Sequence, residues 1–396
     1  MSERGFILTI NAGSSSIKFA LFTIQNMPES VMKGEFRQVF SDSPVFTYTD
    51  LVTGIEKTSS IEVSGQIAVI AYFIKWLEKQ VFFDAIQAIG HRVVHGIEHD
   101  RPAMVTPGLL AELHSIACLD PEHMPAGIKL IEAFLKFNEA IKQIVCFDTS
   151  FHFNMPDIAK LLPIPRKYQL KGLRRYGFHG LSYAYLLGQL EVIAGKEVAR
   201  GRVIIAHLGS GASMVAIKKG LPLETSMGFT PASGLVMSSR TGDLDPGVAS
   251  YLMANDHLNS DSFSQLVNHE SGLLGVSEIS GDMQVLQNKK NTDIRAAQAV
   301  DLFCYQSKKY LGSLAAILGG FDTLIFSGGI GEHDAGVRAL ICSGLNFLGI
   351  ELDAKENDKN SLIISSRQAS VTVYVIKTNE EIMIAQSVAE ILSNTI

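Results

Sequence analysis

The opening segment "FILTINAGSSSIKFALF" (residues 6–22) has the apolar pattern of a strand that breaks and then resumes. Residues 6–10 are apolar and partly β-branched, 11–16 are small and polar, and 17–22 are apolar again except at Lys18. This predicts a buried hairpin. Residues 34–63, rich in Thr, Val and Ser, predict further strands. In "GQIAVIAYFIKWLEKQ" (65–80) apolar residues at 67, 70, 73, 74 and 77 follow a helical period. "AIQAIGHRVVHG" (85–96) returns to strand, and 107–119 and 125–137 predict helices, the second opened by Pro125. "QIVCFDTSF" (143–151) reads as a short buried strand ending on Asp148. The Pro-rich "MPDIAKLLPIPRKY" (155–168) marks a boundary or an inserted loop. Beyond it, the pattern predicts a second hairpin at 201–220 and a long helix at 293–318. A strand, Gly-rich turn and helix follow over 322–340, and a late strand at 371–376 leads into an amphipathic final helix.

The two hairpins resemble each other. "TINAGSSSIKFAL" and "IAHLGSGASMVAI" align with Asn11 on His207, Gly13 on Gly209 and Ser14 on Ser210. A repeated strand–turn–strand unit suggests two domains of one architecture facing each other. The length of 396 residues agrees, being too great for one ordinary core. An apolar content of 46% suits a packed globular protein and not a disordered chain. The formal charge is 34 − 40 = −6 with His neutral, and no long basic block occurs. Nothing therefore calls for nucleic acid or an anionic membrane. Cys118, Cys146, Cys304 and Cys342 form no CxxC pair, which argues against a zinc knuckle or disulfide framework and fits a reducing compartment. The apolar run before Asn11 is too short for a signal peptide, and no run is long enough to span a membrane. The expectation is a cytoplasmic protein.

Small-residue turns at 11–16, 209–213 and 328–332 expose backbone N–H groups and short hydroxyls, as a phosphate cradle requires. An ordinary tight hairpin uses the same residue types. Lys18 adds a cation near the first turn. No GxxxxGK[ST] occurs, and the third turn fits GxGxxG poorly, so neither a P-loop ATPase nor a dinucleotide fold is indicated. In "HRVVHG" Arg92 and Val94 share one face: a cation beside an apolar surface suits a short carboxylate bearing a methyl group, and the plainer alternative for Arg92 is a surface ion pair. His91 and His95 lie roughly 13 Å apart along a strand, too far to share a metal, so structural histidines are expected. Asp148 ends an apolar strand, where a carboxylate needs a partner or a cation. Arg240 stands among Ser, Thr, Gly and Asp, and a structural arginine held by Asp243 or Asp245 would read the same way. His179 just precedes a helix, where it could equally be a helix-start histidine bonded to backbone.

The stretches "NAGSSSIKF", "HRVVHG", "FDTSFH", "RRYGFHGLSY", "HLGSGAS", "TSMGFTP", "SRTGDLDPG", "SGLLG", "SGGIGE" and "TNEEIMIA" occur in this order between residue 7 and about 385. In this the chain resembles the acetate kinase family, of the superfamily that includes sugar kinases, actin and the Hsp70 ATPase. The resemblance implies an α/β fold of two ribonuclease-H-like (actin-like ATPase) domains around a central nucleotide/substrate cleft. Residues 1–150 with the final helix 380–396 would form one domain. Residues 151–379 would form the other, nucleotide-binding and homodimer-forming. It implies reversible, Mg²⁺-dependent phosphoryl transfer between ATP and acetate by direct in-line displacement, with Mn²⁺ as a possible substitute. By the same resemblance Asp148, His179 and Arg240 are catalytic, and Arg92, Val94, Phe178 and Pro231 bind the acyl substrate. Lys18, Ser14, Ser16, His207, Leu208, Gly209, Ser210, Gly211, Asp282, Met283, Gln284, Gly329, Ile330, Gly331, Glu332 and His333 meet the nucleotide. Asn11 and Glu380 hold the metal, and Glu381 is solvated. Loss of Arg92 or Arg240 is expected to cost turnover with the fold intact.

Four positions depart from the family pattern: Ser210 and His333 replace asparagines, Gln284 replaces an arginine, and Glu122 in "LDPEHMP" (119–125) replaces a leucine that walls the methyl pocket. Glu122 leaves open a kinase for propionate or another short-chain or polar carboxylate. A non-catalytic, nucleotide-gated binding module is the alternative of a different class; it would not need Arg92, Asp148, His179 and Arg240 together.

Overall fold

The computed structural model describes residues 5–13, 16–25 and 27–394. The chain divides into two units, Met1–Phe153 with Asn379–Ile396, and Asn154–Thr378. The first unit carries β1 (Phe6–Ala12), β2 (Ser16–Thr23), β3 (Ser30–Arg37), β4 (Val45–Asp50), β5 (Glu56–Ser60), β6 (Ile86–Val93), β7 (Ala103–Met104) and β8 (Lys142–Phe147) in one sheet of order β5-β4-β3-β2-β1-β6-β8-β7. The second carries β9 (Arg202–Leu208), β10 (Ala212–Lys218), β11 (Leu221–Thr225), β12 (Thr323–Ser327) and β13 (Thr372–Val375) in the order β11-β10-β9-β12-β13.

The same five-strand core appears in both units. In the first, β3, β2 and β1 are successively antiparallel, and β1, β6 and β8 are parallel. In the second, β11, β10 and β9 are antiparallel, and β9, β12 and β13 are parallel. The repeat seen in the sequence coincides with strand boundaries: 6 aligns with 202, 12 with 208 and 16 with 212, each pair opening or closing matching strands. Both hairpins are present, and their strands are buried nearly throughout because helices cover the sheet.

In the first unit one sheet face packs Leu8, Ile10, Phe19, Phe36, Phe46 and Ile89 against Val69, Phe73 and Leu77 of the helix Gln66–Glu78. Phe36 and Phe46 stack with ring centroids 4.3 Å apart. The opposite face takes the helix Glu380–Ser393. Gly90 alternates with Ile89, so it faces that helix, and a Cβ there would collide with Ile384 and Val388. Glycine at this position lets the last helix lie close on β6.

Several expected elements differ in form. Residues 328–332 are not a free turn: the helix Gly328–His333 starts directly from β12, with Gly328 at φ 77 under the Leu208 carbonyl. The strand expected to end on Asp148 spans Lys142–Phe147 and so stops one residue earlier, with the Asp148 N–H on the Val93 carbonyl at 3.0 Å. The Pro-rich stretch holds two single-turn helices, Asp157–Lys160 and Arg166–Gln169. Among the described residues no helix is long and apolar enough to cross a membrane.

His91 is buried in the first unit, its Nε2 2.7 Å from Gln143 Oε1. Burial lowers its pKa from 6.5 to about 4, with the Gln143 contact working the other way. The neutral ring is favoured in the fold and the unfolded chain binds a proton first. Stability is thus complete above about pH 6.5 and falls as pH drops toward 4. From pH 7 to 5 this one group costs about 2 kcal/mol. Chemical denaturation at pH 7, 6 and 5 should show that decline, and the double variant His91→Leu/Gln143→Leu should be flatter by this amount. Parallel declines in both proteins would contradict the assignment.

Candidate active site

Neighbouring strand ends bring the first group of residues together. Arg92 is the penultimate residue of β6. Its neighbour β8 ends at Phe147, placing Asp148 alongside, and β1 runs parallel to β6 with Ile10 opposite His91, placing Asn11 next. The Arg92 Nε lies 3.0 Å from both carboxylate oxygens of Asp148, and Nη2 donates to Oδ2. Nη1 donates to Asn11 Oδ1 at 3.0 Å, and Asn11 Nδ2 donates to Glu380 Oε2 at 2.9 Å. Glu380 opens the final helix, capped by Asn379, and its carboxylate stands 3.9 Å from Arg92 Nε.

Asp148 is fully buried and the Arg92 side chain is 15% exposed, so this is no surface ion pair. Burial pushes the Asp148 carboxyl up from its ordinary value, and the Arg92 charge pulls it back. Burial also works against the Arg92 charge, but Asp148, Glu380 and Glu381 outweigh it and hold the guanidinium more firmly protonated than usual. One fixed cation, Arg92, thus stands between the carboxyl groups of Asp148 and Glu380 at the strand ends.

Val94 follows β6 and is buried. Lys18 pairs with Asn11 across β1–β2, on the same face, and is exposed. Ser16 accepts the Gly13 N–H through its carbonyl at 2.8 Å; Ser14 lies outside the described residues. Glu122 is half-buried in the turn before the helix Met124–Phe137, next to His123, whose Nδ1 is 2.9 Å from Asp120.

The side chains of Glu380 and Asn11, joined by the 2.9 Å contact of Asn11 Nδ2 with Glu380 Oε2, offer oxygen atoms that suit a hard divalent cation that keeps waters and phosphate oxygens in its shell, whereas both Asp148 oxygens are engaged by Arg92. Among the described residues no three His, Cys, Asp or Glu side chains are grouped to hold a metal unaided.

The second unit assembles a separate group around the β9–β10 turn. His179 precedes the helix Gly180–Ala194 in a left-handed conformation, φ 60, uncommon for a residue with a side chain. Its ring does not cap the helix; Nδ1 lies 2.8 Å from Ser213 Oγ on β10. A Cβ on Gly211 would sit 3.2 Å from His179 Nε2 and 3.8 Å from Arg240 Nη1, so imidazole and guanidinium converge on that glycine. The His207 ring is 4.7 Å from that of His179. Arg240 Nη1 donates to the Pro231 carbonyl at 3.2 Å. Neither aspartate suggested as its holder is bonded to it in this way: Asp243 accepts from Gly234 N–H and Tyr310 O–H, and Asp245 caps the helix Pro246–Asn255. Phe178, beside His179, is buried.

Around the same hairpin, Leu208 is buried, Gly209 N–H bonds the Gly211 carbonyl, and Ser210 is exposed. Gly329 is exposed and Ile330 half-buried, while Glu332 turns back: its Oε1 accepts from Gly328 N–H at 2.9 Å and Thr378 N–H at 3.1 Å. Gly331 is buried, and its carbonyl takes a bond from Arg338, a fully buried arginine that also holds Asn357. Asp282 caps the helix Met283–Lys289 through Gln284 N–H, Met283 is buried, and Gln284 and His333 are exposed. Gln287 ties this helix to Asp334 at 3.0 Å. Sequence reasoning missed Ser213, Tyr183 and Arg338. Tyr183, four residues after His179 in a helix, carried the one available signal, its spacing.

A sheet duplicated in this way, each copy opening on a small-residue hairpin, defines a two-unit α/β fold of the actin-like ATPase type. Within that class the chain belongs to the Acetokinase family, whose profile matches residues 6–386. It is 41% identical to an acetate kinase of Rhodopseudomonas palustris (strain TIE-1), covering 96% of this chain and 97% of that protein. It is similar to the crystal structure of Porphyromonas gingivalis acetate kinase at 34% identity and TM-score 0.87, covering 98% and 100% of the two chains. A propionate kinase from Francisella tularensis subsp. tularensis SCHU S4 matches at 32% identity and TM-score 0.90, covering 97% and 98%.

The ion pair changes the expectation for Arg92. Removing it strands a carboxylate that is 0% exposed. Arg92→Ala should therefore lose about 3 kcal/mol or more of stability, and Arg92→Ala/Asp148→Asn should regain most of it. Equilibrium denaturation of the two variants checks this; a single variant as stable as the parent would refute the pairing.

Proposed function

We propose that the chain is a reversible ATP:acetate phosphotransferase that yields ADP and acetyl phosphate by direct in-line transfer. The observation that carries this reading is Arg92, a half-buried, permanently charged guanidinium oriented by Asp148 and Asn11 and followed two residues on by buried, apolar Val94. Arg92 receives the acetate carboxylate and Val94 lies by its methyl group. A carboxylate is already ionised at pH 7, its pKa being about 4 to 5, so no general base is needed. Asp148 orients Arg92 and the metal ligands and does not remove a proton.

Mg²⁺, for which Mn²⁺ can substitute, neutralises phosphate charge when bound; Glu380 and Asn11 would hold it. In the second unit His179 and Arg240 offer donors to the oxygens of the transferring phosphoryl group, with Phe178 and Pro231 adjacent. The backbone of Gly209, Gly211, Gly329 and Gly331 supports the nucleotide phosphates. His207, Leu208, Ser210, Asp282, Met283, Gln284, Ile330 and His333 shape the rest of its seat, and Glu332 holds the 328–333 turn in place. Ser14, Ser16 and Lys18 serve the first phosphate loop. The protein is read as cytoplasmic and as a homodimer through its second unit. The helix Pro246–Asn255 supports the dimer: it is largely apolar, buries none of its residues, and leaves Tyr251 64% exposed.

Propionate is the second reading, favoured by Glu122 in the acyl-pocket motif. Its half-burial indicates a carboxylate still in contact with water and not one replacing an enclosed apolar wall. ATP consumption measured with acetate, propionate, glycerate and no acceptor, with hydroxylamine trapping acyl phosphate, should give most hydroxamate from acetate; none from either carboxylate would overturn the proposal. Glu122→Leu should leave the KM for acetate and propionate within about twofold. Arg240→Ala should cut kcat about 100-fold or more, since a preorganised charge at the transition state is worth roughly 3 kcal/mol. Near-parental turnover would remove Arg240 from its assigned role.

A further inference from the structure

His179 Nδ1, Ser213 Oγ and the Tyr183 hydroxyl form a chain of three polar atoms that runs from half-buried His179 into the buried interior. Ser213 and Tyr183 are both 0% exposed. Tyr183 lies one helical turn after His179, which brings its hydroxyl to the same serine. Ser213 reaches that point because it stands opposite His207 in the β9–β10 register. The ring therefore has one nitrogen turned into the protein and the other, Nε2, turned toward Gly211 beside Arg240.

Proton direction along the chain follows from acidity. A phenol is far more acidic than an aliphatic hydroxyl, and an imidazole nitrogen is the best acceptor of the three. Burial raises the Tyr183 pKa, so its proton stays on. Tyr183 O–H donates to Ser213, Ser213 O–H donates to His179 Nδ1, and Nδ1 is left without a proton. The neutral ring then carries its single proton on Nε2.

We propose that Tyr183 and Ser213 form a hydroxyl relay that fixes His179 as the Nε2–H tautomer, aiming its one proton at an oxygen of the transferring phosphoryl group. The two hydroxyl residues are positioning residues; His179 is the group that meets the substrate. The relay also accounts for the left-handed backbone at His179, which turns the ring inward to Ser213 when a helix start would ordinarily cap backbone N–H groups. This rests on the reading of the chain as a phosphotransferase, but the tautomer itself is a property of the resting protein.

The test is long-range ¹H–¹⁵N correlation NMR of the full chain labelled at histidine nitrogens, with His179 assigned by His179→Gln. The expected result is an unprotonated Nδ1 and a protonated Nε2 in the parent, and mixed tautomers in Ser213→Ala and Tyr183→Phe. In those variants kcat should fall roughly 10- to 100-fold with the KM for ATP within about twofold, and Ser213→Thr, which keeps the hydroxyl, should restore the single tautomer and most of kcat. A proton on Nδ1, a doubly protonated ring, or an unchanged Nε2–H tautomer in both hydroxyl-deleted variants would overturn the relay. Because the spectrum needs no turnover, an inactive protein with the expected tautomer would count against the kinase reading alone.

Discussion

The first unit is organised by one interaction, the pairing of half-buried Arg92 with fully buried Asp148. A guanidinium and a carboxylate removed from water are costly to each other's surroundings unless every donor and acceptor is met. The parallel ends of β1, β6 and β8 meet that demand by supplying Asn11, Arg92 and Asp148 at one level. The final helix adds Glu380 from its first turn, and it can do so because Gly90 leaves room for Ile384 and Val388 against β6. Charge, strand register and one missing side chain thus fix the same point.

The second unit uses the same five-strand core for a different purpose. Where β1 carries Asn11, its penultimate residue, inside an ion-pair network, β9 carries His207 just before the glycine turn, and β10 presents Ser213 to His179. The small residues of the turn matter for access. Gly211 has His179 Nε2 and Arg240 Nη1 close to the position of any side chain it might carry. Two unlike sites can arise on one repeated scaffold because the hairpin end, and not the core, carries the chemistry.

Much of this was legible in the sequence where pattern and burial agree. The hairpins at 6–22 and 201–220, the helix near 65–80 and the long helix near 293–318 were visible because their apolar periods are strong. The Gly-rich 328–332 segment was misread as a turn, since glycine lowers helix propensity and the cap from Glu332 comes from a side chain four residues on. The helices Pro246–Asn255 and Ser260–His269 gave no core signal because neither buries a residue. Candidate site residues stood out by type and position, but their partners did not. That Arg92 bonds Asp148 across 56 residues, or that Asn11 reaches Glu380 across 369, depends on strand order, which local pattern does not encode.

The role proposed for the Arg92 charge, held by Asp148 and Asn11, is to receive the carboxylate acceptor. Chemical rescue addresses it most directly: kcat and the KM for acetate of Arg92→Ala, measured with and without low concentrations of guanidinium, with urea as control. The expected result is a raised KM for acetate and a large loss of turnover, both partly and saturably restored by guanidinium and not by urea. A variant with parental acetate KM and turnover would contradict it.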